Sequence, residues 1–393
     1  MQSLIKKIFA VILITLILSC SLIPALAVNA DINAKTTRIA SLPSVATGGC
    51  GNTQSLSVAS TGSYKRLFVV RINSDENKAV LYMYKNYVNM ETDATDEYGT
   101  FELDNLAGHA NGMAIDDDYI YITCWSDENN TNQYKVVRIL RSGLWKMYKA
   151  KTETHKGELD ADSEYVTIMP VVNSDGSIYT EKIVGITHYK DKVDENDNNK
   201  KIKQFIIKTP KTTVNDEVCM NFTIARVSDN STDDDKDDFF VVSDSASEKF
   251  RVAFDDLANT FGQDIGYDPN CGLFIVRPYK VKITYVDENG VEKNKFVPTT
   301  ENAIIWIRLD SLPEGDNRVY RKGNDGYRII RVNKSTDIFK TYELQSVGIG
   351  SNNHMYASVI VKTHSDTSPY VLHPIIKITK PNGDAFLGGS IGN

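Results

Sequence analysis

After its first residues the 393-residue sequence has no long apolar run, no Gly-X-Y period and no low-complexity tract. Multi-span membrane proteins, collagens and disordered chains are thereby excluded. There is no basic excess either, because 44 Lys and Arg stand against 51 Asp and Glu for a net charge of −7. Nucleic acid and anionic membrane are poor partners for such a chain through bulk charge. The six histidines, His109, His155, His188, His354, His364 and His373, show no HxxxH or HExxH spacing, so no metal site is expected. A GxSxG elbow, a CxxC pair and a Gly-rich phosphate loop before a helix are also missing, and no cofactor is expected. Segments with a 3.6-residue period are nearly absent, which points to strands.

The one apolar stretch is IFAVILITLILSC, preceded by Lys6 and Lys7 and followed by the small residues of Ala25-Leu26-Ala27. It reads as a signal peptide over 1–27, leaving 28–393 as a single domain that is secreted or held at the cell surface. Two other readings are a lipoprotein signal, in which Ile17-Leu18-Ser19-Cys20 would be acylated at Cys20, and an uncleaved anchor. Loss of Lys6 and Lys7 leaves 42 basic against 51 acidic residues, a charge of −9. Cys50, Cys124, Cys219 and Cys271 remain, and either disulfides or free thiols fit their spacing.

Short runs rich in Val, Ile, Tyr and Phe recur between turn signals such as Asn289-Gly290, and five of them align without gaps. They are NTQSLSV (52–58), HANGMAI (109–115), KIVGITH (182–188), FGQDIGY (261–267) and ELQSVGI (343–349). The third position holds Gln54, Asn111, Val184, Gln263 and Gln345; the fifth holds Leu56, Met113, Ile186, Ile265 and Val347. Ser55, Gly112, Gly185, Asp264 and Ser346 lie between them, and Ser57, Ala114, Thr187, Gly266 and Gly348 follow. Alternation by two thus sets an apolar face against a small one.

A second strand follows in four units, at Leu67–Val70, Tyr119–Ile122, Leu273–Val276 and Met355–Ala357. A third is expected at Val80–Tyr84, Tyr134–Ile139, Phe205–Ile207, Ile304–Ile307 and Ile375–Ile378. Repeated meanders buried on both faces indicate an all-β chain folded as a β-propeller, with five blades expected. The insertion at 209–260 holds two more apolar runs, Phe222–Arg226 and Phe239–Val242, which could form a sixth. Thr37-Arg38-Ile39-Ala40 is expected to complete the last blade and join the two ends of the chain. The acidic stretches at 194–199 and 231–238 lack the alternating ligands of a calcium loop and read as solvated loops.

In a propeller the channel mouth is the natural ligand site, and the strand entrances here are polar. Asn52, His109, Lys182 and Glu343 stand at the first position, Gln54, Asn111, Gln263 and Gln345 at the third, with Asp264 beside Gln263. These nine residues form the expected ligand site. His109, Lys182, Asp264 and Glu343 break the repeat, which favours a specific role; the repeated carboxamides equally suit bonds that tie blades together. Trp306 lies in an apolar strand and reads as core, whereas Trp125 and Trp145 are open to sugar stacking.

The last unit, YELQSVGIGSNNHMYASVIVKTHSDTSPYVLHPIIKITK (342–380), resembles the C-terminal blade of helveticin-like secreted proteins of Gram-positive bacteria. Glu343, Ser346, a polar turn, Met355-Tyr356 and a closing apolar strand carry the likeness, which implies bacteriocin or bacteriolytic activity. Thr53-Gln54 is similar to the first inner strand of five-bladed glutaminyl cyclotransferases; Ser57-Val58 replaces the glutamate of that family, so its cyclising activity is not carried over.

The expected function is recognition of a polar small molecule, glycan or protein outside the cell by a monomer with no membrane span after signal removal. The alternative is a hydrolase, lyase or acyltransferase with Glu343 or Asp264 as base and His109 as acid.

Overall fold

A computed structural model describes residues 32–42, 47–59, 66–85, 98–104, 106–124, 135–150, 156–194, 201–228, 235–253, 263–286, 288–311, 318–324, 326–332, 341–350, 353–362 and 373–386. The expected signal segment, Cys20 and Trp125 lie outside them. Two strands open the chain, β1 (Ile32–Asn33) and β2 (Lys35–Leu42). The first meander is β3 (Asn52–Val58), β4 (Arg66–Ile72), β5 (Lys78–Lys85) and β6 (Tyr98–Asp104). The second has β7 (Met113–Ile115), β8 (Tyr119–Cys124) and β9 (Lys135–Leu140), then helix α1 (Arg141–Ala150), β10 (Lys156–Leu159), which joins the first sheet, and β11 (Val166–Asn173).

The third contains β12 (Gly185–Val193), β13 (Lys201–Val214), β14 (Glu217–Ser228), β15 (Phe239–Val242) and β16 (Lys249–Ala253). In the fourth are β17 (Ile265–Asp268), β18 (Gly272–Val286), β19 (Glu292–Ile307) and β21 (Tyr327–Arg331), with β20 (Val319–Tyr320) crossing to pair with β16 of the third; in the last, β22 (Thr341–Ile349), β23 (Met355–Lys362) and β24 (His373–Thr379).

The fold is all-β with one α-helix among the described residues. Parallel pairing of β11 with β15 merges the second and third meanders into one strongly curled ten-stranded sheet. Phe222–Arg226 and Phe239–Val242 fall in β14 and β15, which pair with each other, so the insertion extends the third sheet. Phe205–Ile207 sits in β13, the direct partner of β12, and not in the expected third strand. The hairpin from β12 to β13 is long, which placed these residues at a third strand's distance. β2 lies antiparallel to β24, with Thr37 opposite Lys377 and Ala40 opposite Ile375.

Strand alternation explains the packing. Phe68 and Val70 of β4 point into a core shared with Met113, Ile120 and Ile139 of the second meander. Their neighbours Leu67 and Val69 point the other way, against Tyr356 and Ile375 of the last meander and Ile39 of β2. The same division recurs: Tyr121 meets Phe205 and Phe240, Ile206 and Phe222 meet Ile275 and Ile305, and Phe274 and Ile304 meet Leu344 and Val359. Each fully buried side chain of this kind contributes about 1.5–3 kcal/mol relative to exposure.

The first strands are neighbours in turn: β3 beside β7, β7 beside β12, β12 beside β17, β17 beside β22, and β22 beside β3. Small residues permit this closeness. A Cβ on Gly112 would stand 2.6 Å from the Ile186 nitrogen, and one on Gly266 would stand 2.7 Å from the Val347 carbonyl oxygen.

Helix α1 was not expected. Leu144 and Tyr148, four residues apart, bury one of its faces in the first core. Trp145 stacks on Tyr148 at 5.2 Å with the Arg66 guanidinium 4.4 Å from its ring, whereas Trp306 is buried as expected. No helix among the described residues is long and apolar enough to cross a membrane.

Candidate functional site

The nine residues expected at the strand entrances occupy several distinct places. Gln54 and Gln345 are each the extra residue of a β-bulge, on β3 between Thr53 and Ser55 and on β22 between Leu344 and Ser346. Asn52 is half-buried in the ladder opposite Ile72, and Asn111 is half-buried ahead of β7. His109 Nδ1 pairs with Glu76 in the turn between β4 and β5. Lys182 lines a groove on the third sheet.

The remaining three gather around Gln345. Gln263 Nε2 donates to Glu343 Oε1 at 2.9 Å, and the Asp264 amide donates to the Gln345 carbonyl at 3.2 Å. Glu343 is 2% exposed and Asp264 fully buried. Asp264 Oδ1 accepts the Ile265 amide at 2.8 Å. Burial drives its pKa well above the carboxylate range, against the opposing pull of that amide, Lys208, and the amides of Met113 and Ile186. Burial also pushes Lys208 down to about 7. Gln263 ties the fourth meander to the last, as expected of a repeated carboxamide, and Asn302 of β19 adds a second tie, donating to the Tyr342 carbonyl at 3.0 Å and accepting the Leu344 amide at 3.1 Å.

A cavity of about 440 Å³ opens at the other ends of the first strands. All five meanders line it, through Ser57 and Val58, Met113 and Ile115, Thr187 to Lys190, Ile265 to Asp268, and Val347 to Ile349. A chain of ionisable groups enters its wall. His188 Nε2 lies 3.0 Å from Asp191 Oδ1, Asp191 Oδ2 3.1 Å from Lys203 Nζ, and Lys203 Nζ 3.8 Å from Asp116 Oδ2. The Tyr121 hydroxyl donates to Asp116 Oδ2 at 2.8 Å, while the Asp118 and Tyr119 amides hold Oδ1 at 2.8 and 2.7 Å.

Partial burial opposes ionisation of Asp191, but Lys203 and then His188 hold its pKa below the ordinary value. Lys203 is raised despite burial, chiefly by Asp116 and then Asp191. The His188 ring meets Phe205 edge-on at 5.6 Å. Tyr189 and Tyr267 cross at 5.0 Å, with Lys190 Nζ 4.8 Å from the Tyr189 ring. Burial and Tyr189 push the Tyr267 hydroxyl up to about 12, so it remains a donor at neutral pH. Aromatic faces beside charge-assisted donors and acceptors suit a polyhydroxylated ligand.

His188 and Tyr267 stand at the opposite ends of these strands from the entrances where the sequence places the expected site. The seventh position reads Val58, Ile115, His188, Tyr267 and Ile349, so both residues break an apolar column. Asp116, Asp191 and Lys203 lie outside the aligned stretches and left no comparable signal.

No protein-family model matches this chain, and comparison with curated proteins gives no match.

Proposed function

We propose that the chain is an exported five-bladed β-propeller that binds a glycan without covalent chemistry in the cavity at the exits of its inner strands. The five inter-sheet cores, the circuit of first-strand neighbours and the pairing of β2 with β24 support the propeller reading. The observation that carries the function is the cavity itself. Five distant segments converge there on the His188–Asp191–Lys203–Asp116 chain and the crossed Tyr189 and Tyr267 rings. The rings would stack on sugar C–H faces while the ionic groups orient hydroxyls.

The test is an oligosaccharide array probed with residues 28–393, followed by calorimetric titration of the best-retained sugar. Tyr267→Ala and His188→Ala should each weaken binding about tenfold or more. Unchanged affinity in both folded variants would overturn the site.

A second reading, acid/base catalysis, draws on the His188–Asp191 pair in the cavity wall, since Asp264 and Glu343 are buried and His109 is held by Glu76. Turnover of the bound sugar, lost in His188→Ala while binding persists, would favour it. The helveticin-like likeness supports a third proposal, action on competing bacteria; a spot assay without clearing would count against it.

A further inference from the structure

A larger groove, of about 790 Å³, lies on the third sheet and shares no lining residue with the central cavity. Its walls carry five cationic side chains, Lys182, Lys211, Lys249, Arg251 and Arg318, against two carboxylates, Glu181 and Asp244. Neutral donors already engage both acids. The Tyr179 hydroxyl donates to Glu181 at 3.3 Å, and the Ser174 amide to Asp244 at 3.2 Å. A chain of net charge −7 therefore concentrates positive charge in one concave place.

The floor is of mixed character. Phe222 and Phe250 stack there at 4.9 Å, and the buried Thr223 hydroxyl donates to the Ser243 carbonyl at 3.3 Å. The exposed Thr180 and Thr212 side chains and the half-buried Asn221 join the cations in the walls, and hydroxyl, amide and cationic groups together match a ligand with hydroxyls and anionic substituents.

We propose that this groove binds an anionic saccharide, an oligosaccharide bearing carboxylate or phosphate groups. Charge density separates it from nucleic acid. A duplex carries one charge per ≈ 1.7 Å and would press many phosphates against the acidic remainder of the surface. A saccharide with one anionic group per ring presents no more charge than the groove can meet.

The experiment titrates residues 28–393 at low salt with oligogalacturonate, a phosphorylated malto-oligosaccharide and a neutral malto-oligosaccharide of equal length. At least one charged probe should bind about tenfold or more tightly than the neutral one, and which of them binds tells carboxylate from phosphate. Lys249→Glu with Arg318→Glu should weaken that binding about tenfold or more; Lys249→Gln with Arg318→Gln serves if charge reversal prevents folding. The proposal fails if neither charged probe binds, if the neutral probe binds as well, or if a folded double variant retains affinity within about twofold.

Discussion

Lys208 and Asp264 bring two ionisable groups of opposite sign into one interior, with Lys208 Nζ and Asp264 Oδ2 both enclosed. The lysine stem crosses Gly185, its Cε 3.3 Å from where a Cβ on that glycine would stand. Burial disfavours the charged form of both groups, and each one's charge opposes that shift in the other. Lys208→Met and Asp264→Asn should each change stability at pH 7 by about 1–3 kcal/mol, and the double variant should depart from the sum of the two. Urea unfolding of the four proteins checks it, and strictly additive changes would show that the two groups are uncoupled. The pH dependence has a defined sign. With Lys208 near 7 in the folded chain against 10.5 unfolded, the unfolded state holds more protons between those values, so stability rises with pH across that window. Lys208→Met should flatten this rise.

His373 ties the last sheet to the first, its Nδ1 3.2 Å from Thr53 Oγ1. Burial, and then the Arg71 charge, push its pKa from 6.5 down to about 4. The unfolded chain therefore binds more protons between about 4 and 6.5, and the contribution of the neutral ring is lost as pH falls through that window. The loss should approach about 3 kcal/mol by pH 4. Asp264, raised by burial, titrates with the opposite sign above 3.8, so the wild-type curve alone does not separate them. The difference between wild type and His373→Leu does. Parallel stability curves for the two proteins from pH 4 to 7 would refute the assignment.

Cys50, Cys124 and Cys219 are buried and Cys271 is partly exposed, all four as free thiols. Burial raises Cys124 to about 12, and its sulfur contacts the Leu106 carbonyl at 2.8 Å. Thiolate is the reactive form, so these sites should differ sharply in rate. In residues 28–393 at pH 8, a disulfide-exchange reagent should label Cys271 first and the other three only after denaturant is added. Peptide mapping identifies the labelled cysteine, and early labelling of Cys124 would contradict its burial.

The all-β character of the chain was legible because its signal repeats. Leu56, Met113, Ile186, Ile265 and Val347 recur with small residues on either side, a pattern that a strand packed between two sheets imposes through sterics alone. Helix α1 escaped because ten residues with Leu144 and Tyr148 as its anchors offer little periodicity against a background of strands. The candidate site was harder to read for a different reason. A one-dimensional alignment does not say which end of a strand opens to solvent. The repeated Gln54 and Gln345 proved to mark bulges, a backbone role, whereas His188 and Tyr267 stand at the open end. Asp191 and Lys203 join that site only through the register of β12 against β13, which places Asp191 opposite Lys203.

The close approach of the first strands makes a graded prediction about glycine. On Gly112 and Gly266 an added Cβ would meet backbone atoms of the neighbouring strand, at 2.6 and 2.7 Å, and backbone yields only if the strands separate. On Gly348 the nearest obstacle is a methyl of Val58, also at 2.7 Å, which a rotamer change can move. Gly51 has nothing within 4 Å of its added Cβ. Alanine at Gly112 or Gly266 should therefore cost about 1–3 kcal/mol or more, at Gly348 less, and at Gly51 close to nothing or a gain of about 0.4–1 kcal/mol through the unfolded chain. Denaturant midpoints of the four single variants measure the order directly. If Gly112→Ala and Gly51→Ala unfold together, β7 and β12 do not lie as close as the packing requires.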